Sequence, residues 1–174
     1  MKSLTTGRLE KFVRKAGERL KGDWLILGGC VLPLLGVPHR VTVDLDIVGP
    51  MDATLDQNLV LLELARELGL PPEAINQAAA LFLRRVKGWD QRTVLVHEGT
   101  SARIYRPDCT LYLLLKMDRL SETDLSDCLA MLEHCRKSGE PVHAAPIRKA
   151  IRSALKANPS EAREVRLKAL LQAA

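Results

Sequence analysis

The 174-residue chain is poor in aromatic side chains: two Trp, two Tyr and two Phe, or 3% of the sequence. That argues against a platform on which single-stranded bases stack. No apolar run approaches the roughly 20 residues that cross a bilayer. The first 20 residues mix Lys, Arg and Glu with apolar residues and lack the core of a secretion signal; a cytoplasmic protein without membrane partners is the expectation. The four cysteines (Cys30, Cys109, Cys128, Cys135) form no C-x-x-C pair, and the four histidines complete no zinc-ligand spacing. Cys128 and Cys135 lie seven residues apart on one helical face beside His134, which is open to a metal reading, although buried thiols in a reducing compartment suit the pattern better. Neither G-x-x-x-x-G-K-[ST] nor G-x-G-x-x-G occurs, so no P-loop and no dinucleotide fingerprint is present. Repeats and low-complexity segments are absent as well.

What the chain does have is 47% hydrophobic and 27% charged residues, enough to bury a core. The net charge of +5 is unevenly spread. Residues 136–174 hold nine basic and three acidic residues, a net +6, against 17 basic and 18 acidic residues, a net −1, before them. The basic character therefore belongs to the C-terminal part, where it reads either as a solvated helix face or as an attraction for a polyanion.

Leu9, Phe12, Val13, Ala16 and Leu20 recur at helical spacing and predict an amphipathic first helix. Trp24-Leu25-Ile26-Leu27 reads as a buried strand ended by Gly28-Gly29, with a short helix over Cys30–Leu35. Residues 41–48 alternate with period two and predict a second strand with one wet face. A helix through Leu59, Leu62, Ala65 and Leu68 follows, then another started by Pro71-Pro72 and running through Ile75, Ala78, Leu81 and Phe82. Thr93–His97 and Ala102–Tyr105, with the turn signal Glu98-Gly99-Thr100-Ser101 between them, predict a hairpin. From Asp108 onward the chain is helical: one helix to Leu120, a second with Leu125, Cys128, Leu129 and Leu132 as its buried stripe, and two basic helices separated by Asn158-Pro159-Ser160, with Ser160 as N-cap. The order predicts a small α+β or α/β core followed by a helical part.

The chemistry concentrates in two places. On a strand, Asp44 and Asp46 point to one face, roughly 6–7 Å apart at Cα, with Val43, Leu45 and Ile47 on the other fixing the register. Two hard oxygen ligands on a rigid strand suit Mg²⁺ or Mn²⁺, and a cation relieves their mutual repulsion; the plain alternative is a solvent-facing strand whose polar positions are acidic. By the same parity Thr42 shares their face. A strand ending in Gly28-Gly29 and opening a helix lets backbone N–H groups approach an anion, though a diglycine alone is usually an ordinary turn.

Leu27-Gly28-Gly29-Cys30 followed by Arg40-Val41-Thr42-Val43-Asp44-Leu45-Asp46 resembles the first motif of the DNA polymerase β-like nucleotidyltransferase superfamily, in particular its bacterial branch of toxin-type, abortive-infection and uncharacterised members. Lys116, Arg119, Asp124 and Asp127 are similar to that branch's helical motif. The resemblance spans roughly residues 23–135. It implies a small mixed β-sheet core flanked by helices over 1–107 and a helical part over 108–174. It also implies transfer of a nucleoside monophosphate from a triphosphate such as ATP to an acceptor hydroxyl of RNA, tRNA, a protein or a small molecule, and a place in a toxin–antitoxin system. Asp44 and Asp46 would hold the metal, Gly28 and Gly29 would cradle phosphates, Arg40 and Thr42 would orient the acidic strand or touch nucleotide, and Lys116 would neutralise phosphate charge, unless it snorkels to the surface. The chain departs from the family in carrying Gly-Gly-Cys where Gly-Ser is usual, which removes a hydroxyl, and in lacking a clear third acid. Glu98 is the nearest candidate. Asp124 and Asp127 read either as part of the site or, through Ser121-x-x-Asp124, as a capping box. The competing functions are an inactive relative that binds nucleotide or a partner, and a basic nucleic-acid-binding helical module.

Overall fold

A computed structural model of the chain describes residues 4–38, 42–50 and 53–174. The fold is α+β, with a five-stranded mixed sheet and eight α-helices among the described residues. It divides into two compact units, residues 1–85 with 93–107, and residues 86–92 with 108–174.

The first unit contains the sheet. Helix α1 (Thr6–Arg19) starts at Thr5, whose side chain accepts the Arg8 N–H, and it buries Leu9, Phe12, Val13 and Ala16 on the predicted stripe. Strand β1 (Gly22–Leu27) is buried from Trp24 onward, as a continuous apolar run on a central strand should be. It gives way at Gly28 to a 3-10 turn (Gly28–Cys30) and to α2 (Val31–Leu34), a single turn of helix. Strand β2 (Leu45–Val48) pairs antiparallel with β1, with Leu27 opposite Asp46. The predicted strand is thus shortened: only its second half enters the ladder, and Asp44 precedes it. Arg40 and Val41 lie outside the described residues.

Helix α3 (Leu55–Glu67) is tied to α1 by Lys15 and Arg19, which bond Glu67, and by Arg19 to Glu63. The predicted helix after Pro71-Pro72 is replaced by three short elements: a 3-10 turn (Pro72–Ala74), strand β3 (Ile75–Asn76) and α4 (Ala79–Leu83). β3 pairs parallel with β2 through Leu45–Ile75 and Asp46–Asn76, and two residues of strand carry no period for sequence reading to detect. Strands β4 (Thr93–Glu98) and β5 (Ala102–Pro107) form the expected hairpin, with an irregularity between Leu95 and His97. The strand order is β3-β2-β1-β5-β4, with β1 and β5 parallel. Helix α1 crosses the hairpin closely: the Ser101 N–H donates to Gly17 O at 3.0 Å, and a Cβ on Gly99 would stand 2.2 Å from that oxygen.

The second unit is helical. Helix α5 (Cys109–Lys116) is capped by Asp108, whose carboxylate accepts the Leu111 N–H at 2.7 Å. Helix α6 (Glu122–Ser138) carries a complete capping box between Ser121 and Asp124 and ends at Gly139 in the left-handed conformation (φ 73°), a position where glycine avoids a Cβ clash. Helices α7 (Ala144–Lys156) and α8 (Glu161–Ala173) follow; Ser160 precedes α8 without a side-chain cap.

The buried face of α6 differs from the expected one. Asp124, Asp127, Cys128, Met131, Leu132 and Cys135 are inside, whereas Leu129 is exposed. The helix is turned so that two carboxylates face inward, because cations meet them there. Cys128 and Cys135 are buried free thiols. Cys109 hydrogen-bonds Cys135, and that bond together with burial pushes the Cys109 thiol upward; burial pushes Cys128 up to about 12. Among the described residues no three His, Cys, Asp or Glu side chains come together to hold a metal. Among them, too, no helix is long and apolar enough to cross a membrane.

Candidate functional site

The antiparallel register of β1 and β2 determines what meets at the diglycine. Residues directly opposite across an antiparallel pair project to the same face, so Asp46 stands beside the last residue of β1 and its carboxylate reaches the bend. Gly28 has φ 68°, and a Cβ built on it would lie 1.9 Å from Asp46 Oδ2 and 2.9 Å from Cγ. Glycine is required here twice, by the left-handed backbone and by the carboxylate that fills the space a side chain would take. Gly29 next to it is half-buried. The helix beyond the bend is one turn long, so its dipole adds little and the local peptide groups matter more.

Asp46 is half-buried and its Oδ1 accepts a hydrogen bond of 2.6 Å from Asn76 Nδ2. Asn76 was not singled out from the sequence. Its signal is faint: an Asn three residues before a helix start, able to bond the backbone two residues on as in an Asx turn. Its Oδ1 accepts the Ala78 N–H at 3.0 Å.

Asp44 is exposed and lies one residue before the strand, with the buried Leu45 between it and Asp46. Thr42 is buried, and its hydroxyl donates to the Asp44 carbonyl oxygen at 3.4 Å; it braces the approach to β2, and the parity that placed it with the acids does not apply. Arg40 lies outside the described residues.

Glu98 does not join this site. It ends β4 opposite Arg103, which is level with Asp23 on β1, whereas Asp46 is level with Leu27. Four residues along a strand and three strand spacings across the sheet separate them, roughly 13 Å and 14 Å. Continuing the pairing of Leu25 with Tyr105 places Pro107 level with Leu27 on β5, so that position supplies no carboxylate.

In the second unit, Lys116, Asp124 and Asp127 are already in one another's hands. Lys116 Nζ donates to Asp127 Oδ2 at 2.7 Å and to Asp124 Oδ1 at 3.1 Å, with side-chain exposures of 11%, 0% and 2% respectively. Arg119 adds a two-pronged contact to Asp124 at 2.7 and 2.9 Å. Burial alone would raise the Asp124 carboxyl, but Arg119, Lys116 and the Ser121 side chain and backbone hold it well below the usual carboxylate range. Of the two sequence readings for Asp124, the capping box is the one the structure displays. Lys116 is neither a snorkelling cation nor a free one: it stitches α5 to α6, with its charge also 5.4 Å from the Tyr112 ring centre.

The two C-terminal helices are not equivalent. In α7, Arg148, Lys149, Arg152 and Lys156 are all exposed and the helix contains no acid. In α8, Lys168 pairs with Glu164, while Arg163 and Arg166 donate to the Met117 and Leu120 carbonyls. Of these two helices, α7 carries the positive face that no acid of its own helix offsets. No family model, no curated protein and no solved structure matches this chain.

Proposed function

We propose that the chain is a nucleotidyltransferase-fold protein that moves a nucleoside monophosphate from a triphosphate to an acceptor hydroxyl, with Mg²⁺ or Mn²⁺ held by Asp44 and Asp46. The observation that carries this reading is the seating of the Asp46 carboxylate on Gly28, at the turn where β1 ends. An acid and a glycine bend meet there, and a ligand with both phosphate and cation needs an acid for the ion and peptide groups for the phosphate. The donor set fits the ion: two carboxylates leave coordination positions for substrate phosphate oxygens and water, as Mg²⁺ prefers. When bound, the ion would draw charge from the phosphoryl oxygens. The acceptor oxygen would bond to the α-phosphorus as the bond from that phosphorus to the bridging β-phosphate oxygen breaks, releasing pyrophosphate, with the hydroxyl proton lost to solvent. Gly28 and Gly29 would admit the β- and γ-phosphates; Lys116 is assigned to the packing of α5 on α6.

A second reading is favoured by Pro107 at the level of Asp46 on β5 and by the remoteness of Glu98: a relative that binds nucleotide without transferring it, for want of an acid to activate the acceptor. Incubating the protein with α-labelled and γ-labelled triphosphates, Mn²⁺ and total RNA or protein separates the two. Label transferred from the α position and lost in Asp46→Ala supports transfer. Mn²⁺-dependent nucleotide binding without transfer supports the second reading, and label arriving only from the γ position overturns the first. RNA or tRNA is the acceptor class the resemblance suggests, and any contact of RNA with the α7 cations would weaken steeply with salt. The toxin role and an antitoxin partner rest on the resemblance alone.

A further inference from the structure

We infer that Asn76 is the positioning residue of Asp46, and that its being a neutral amide keeps the site dependent on nucleotide for tight binding of a divalent ion. This rests on the metal reading of Asp46 given above.

Asn76 is anchored at both ends of its amide. Its carbonyl oxygen accepts the Ala78 N–H at 3.0 Å, so the NH₂ group is turned to Asp46 Oδ1, 2.6 Å away. A carboxylate only accepts, and this orientation satisfies both contacts. The backbone enforces the same meeting, because Asp46 and Asn76 are register partners between β2 and β3. β3 consists of two residues, held by the buried Ala74 before it and by the prolines at 71 and 72 that stiffen its entry. On its other side, the Asp46 carboxylate rests against Gly28. Asn76 and Gly28 thus each meet one oxygen of the Asp46 carboxylate.

The identity of residue 76 also sets the charge. An aspartate there would keep the contact to Ala78 and place a third carboxylate within hydrogen-bonding distance of the second. Divalent-ion affinity rises with the number of charged ligands and the rigidity of the site. With asparagine, two carboxylates remain, and the nucleotide's phosphates must complete the coordination.

The test is Mn²⁺ titration of the full chain, followed by the electron paramagnetic resonance signal of free Mn²⁺, with and without ATP, together with melting temperatures with and without Mn²⁺. In the presence of ATP, Asn76→Ala should weaken Mn²⁺ binding about 10-fold or more, the usual effect of removing a group that orients a ligand. Asn76→Asp should bind Mn²⁺ without ATP at least about 10-fold more tightly than wild type, through the added charged ligand, and its melting temperature should rise more on Mn²⁺ addition. Both variants within twofold of wild type would overturn the inference. Should Asn76→Ala unfold, the isosteric Asn76→Asp still decides it. If Asp46→Ala binds Mn²⁺ as wild type does, the metal reading itself fails, and the inference with it.

Discussion

Gly28→Ala is the sharpest perturbation that the geometry offers. An L-residue at φ 68° costs about 1–2 kcal/mol. The new Cβ would also lie 1.9 Å from Asp46 Oδ2, when contacts under 3.0 Å are essentially never seen, so the carboxylate must retreat by about 1 Å or more. Forcing an extra methyl into a filled space costs about 1–3 kcal/mol. The substitution should therefore destabilise the first unit by about 2–5 kcal/mol. Gly36→Ala is the matched control, because Gly36 has φ 70° but nothing within 4 Å of a built Cβ; it should show the backbone cost alone. Urea unfolding followed by Trp24 emission, in a Trp89→Phe background, reports on the unit in which Trp24 is fully buried. In a double-mutant cycle with Asp46→Ala, the excess of Gly28→Ala over Gly36→Ala should vanish, a coupling of about 1–3 kcal/mol. If Gly28→Ala costs no more than Gly36→Ala, or costs the same with and without Asp46, the acid does not sit on the bend and the site described here dissolves.

Three further outcomes are expected. Lys116→Met removes the cation from two carboxylates that are almost wholly buried, so chemical denaturation should show a loss of about 3–5 kcal/mol; a lysine serving phosphate alone would leave stability intact. Asp124 has its folded-state carboxyl held down, so its stabilising contribution is complete above the unfolded value of about 3.9 and is lost as pH falls below that toward the folded value. Unfolding free energies measured from pH 6 to pH 2 should drop accordingly, and Asp124→Asn should flatten that limb of the profile. The four cysteines are buried, and Cys109 and Cys128 are shifted away from the reactive thiolate; a disulfide reagent at pH 8 should find no fast-reacting thiol in the native chain and four in urea.

Much of the fold could be read from local pattern. The α1 stripe, the apolar β1 ended by two glycines and the hairpin around Gly99 are each specified by residues close in sequence, and each forms as expected. The misreadings have one physical root, which is that the deciding partner is distant. Ile75-Asn76 becomes a strand because β2 offers it an edge, thirty residues away in sequence. α6 buries Asp124 and Asp127 instead of Leu129 because Lys116 and Arg119 neutralise them. The candidate site divides the same way: the diglycine bend and Asp46 stand out locally in the sequence and meet in the fold, whereas Asn76 reaches Asp46 only through the β2–β3 pairing, and the ladder of β2 begins one residue after Asp44.

The corner between α5 and α6 has one more implication. Leu120 sits there at φ 38°, a strained value for a leucine, and the carbonyls of Met117 and Leu120 are taken by Arg163 and Arg166, each 46 residues downstream. A bend that looks local is thus closed by a distant arm. During synthesis neither arginine can reach those oxygens until α8 has emerged, so the corner closes later than the two helices it joins.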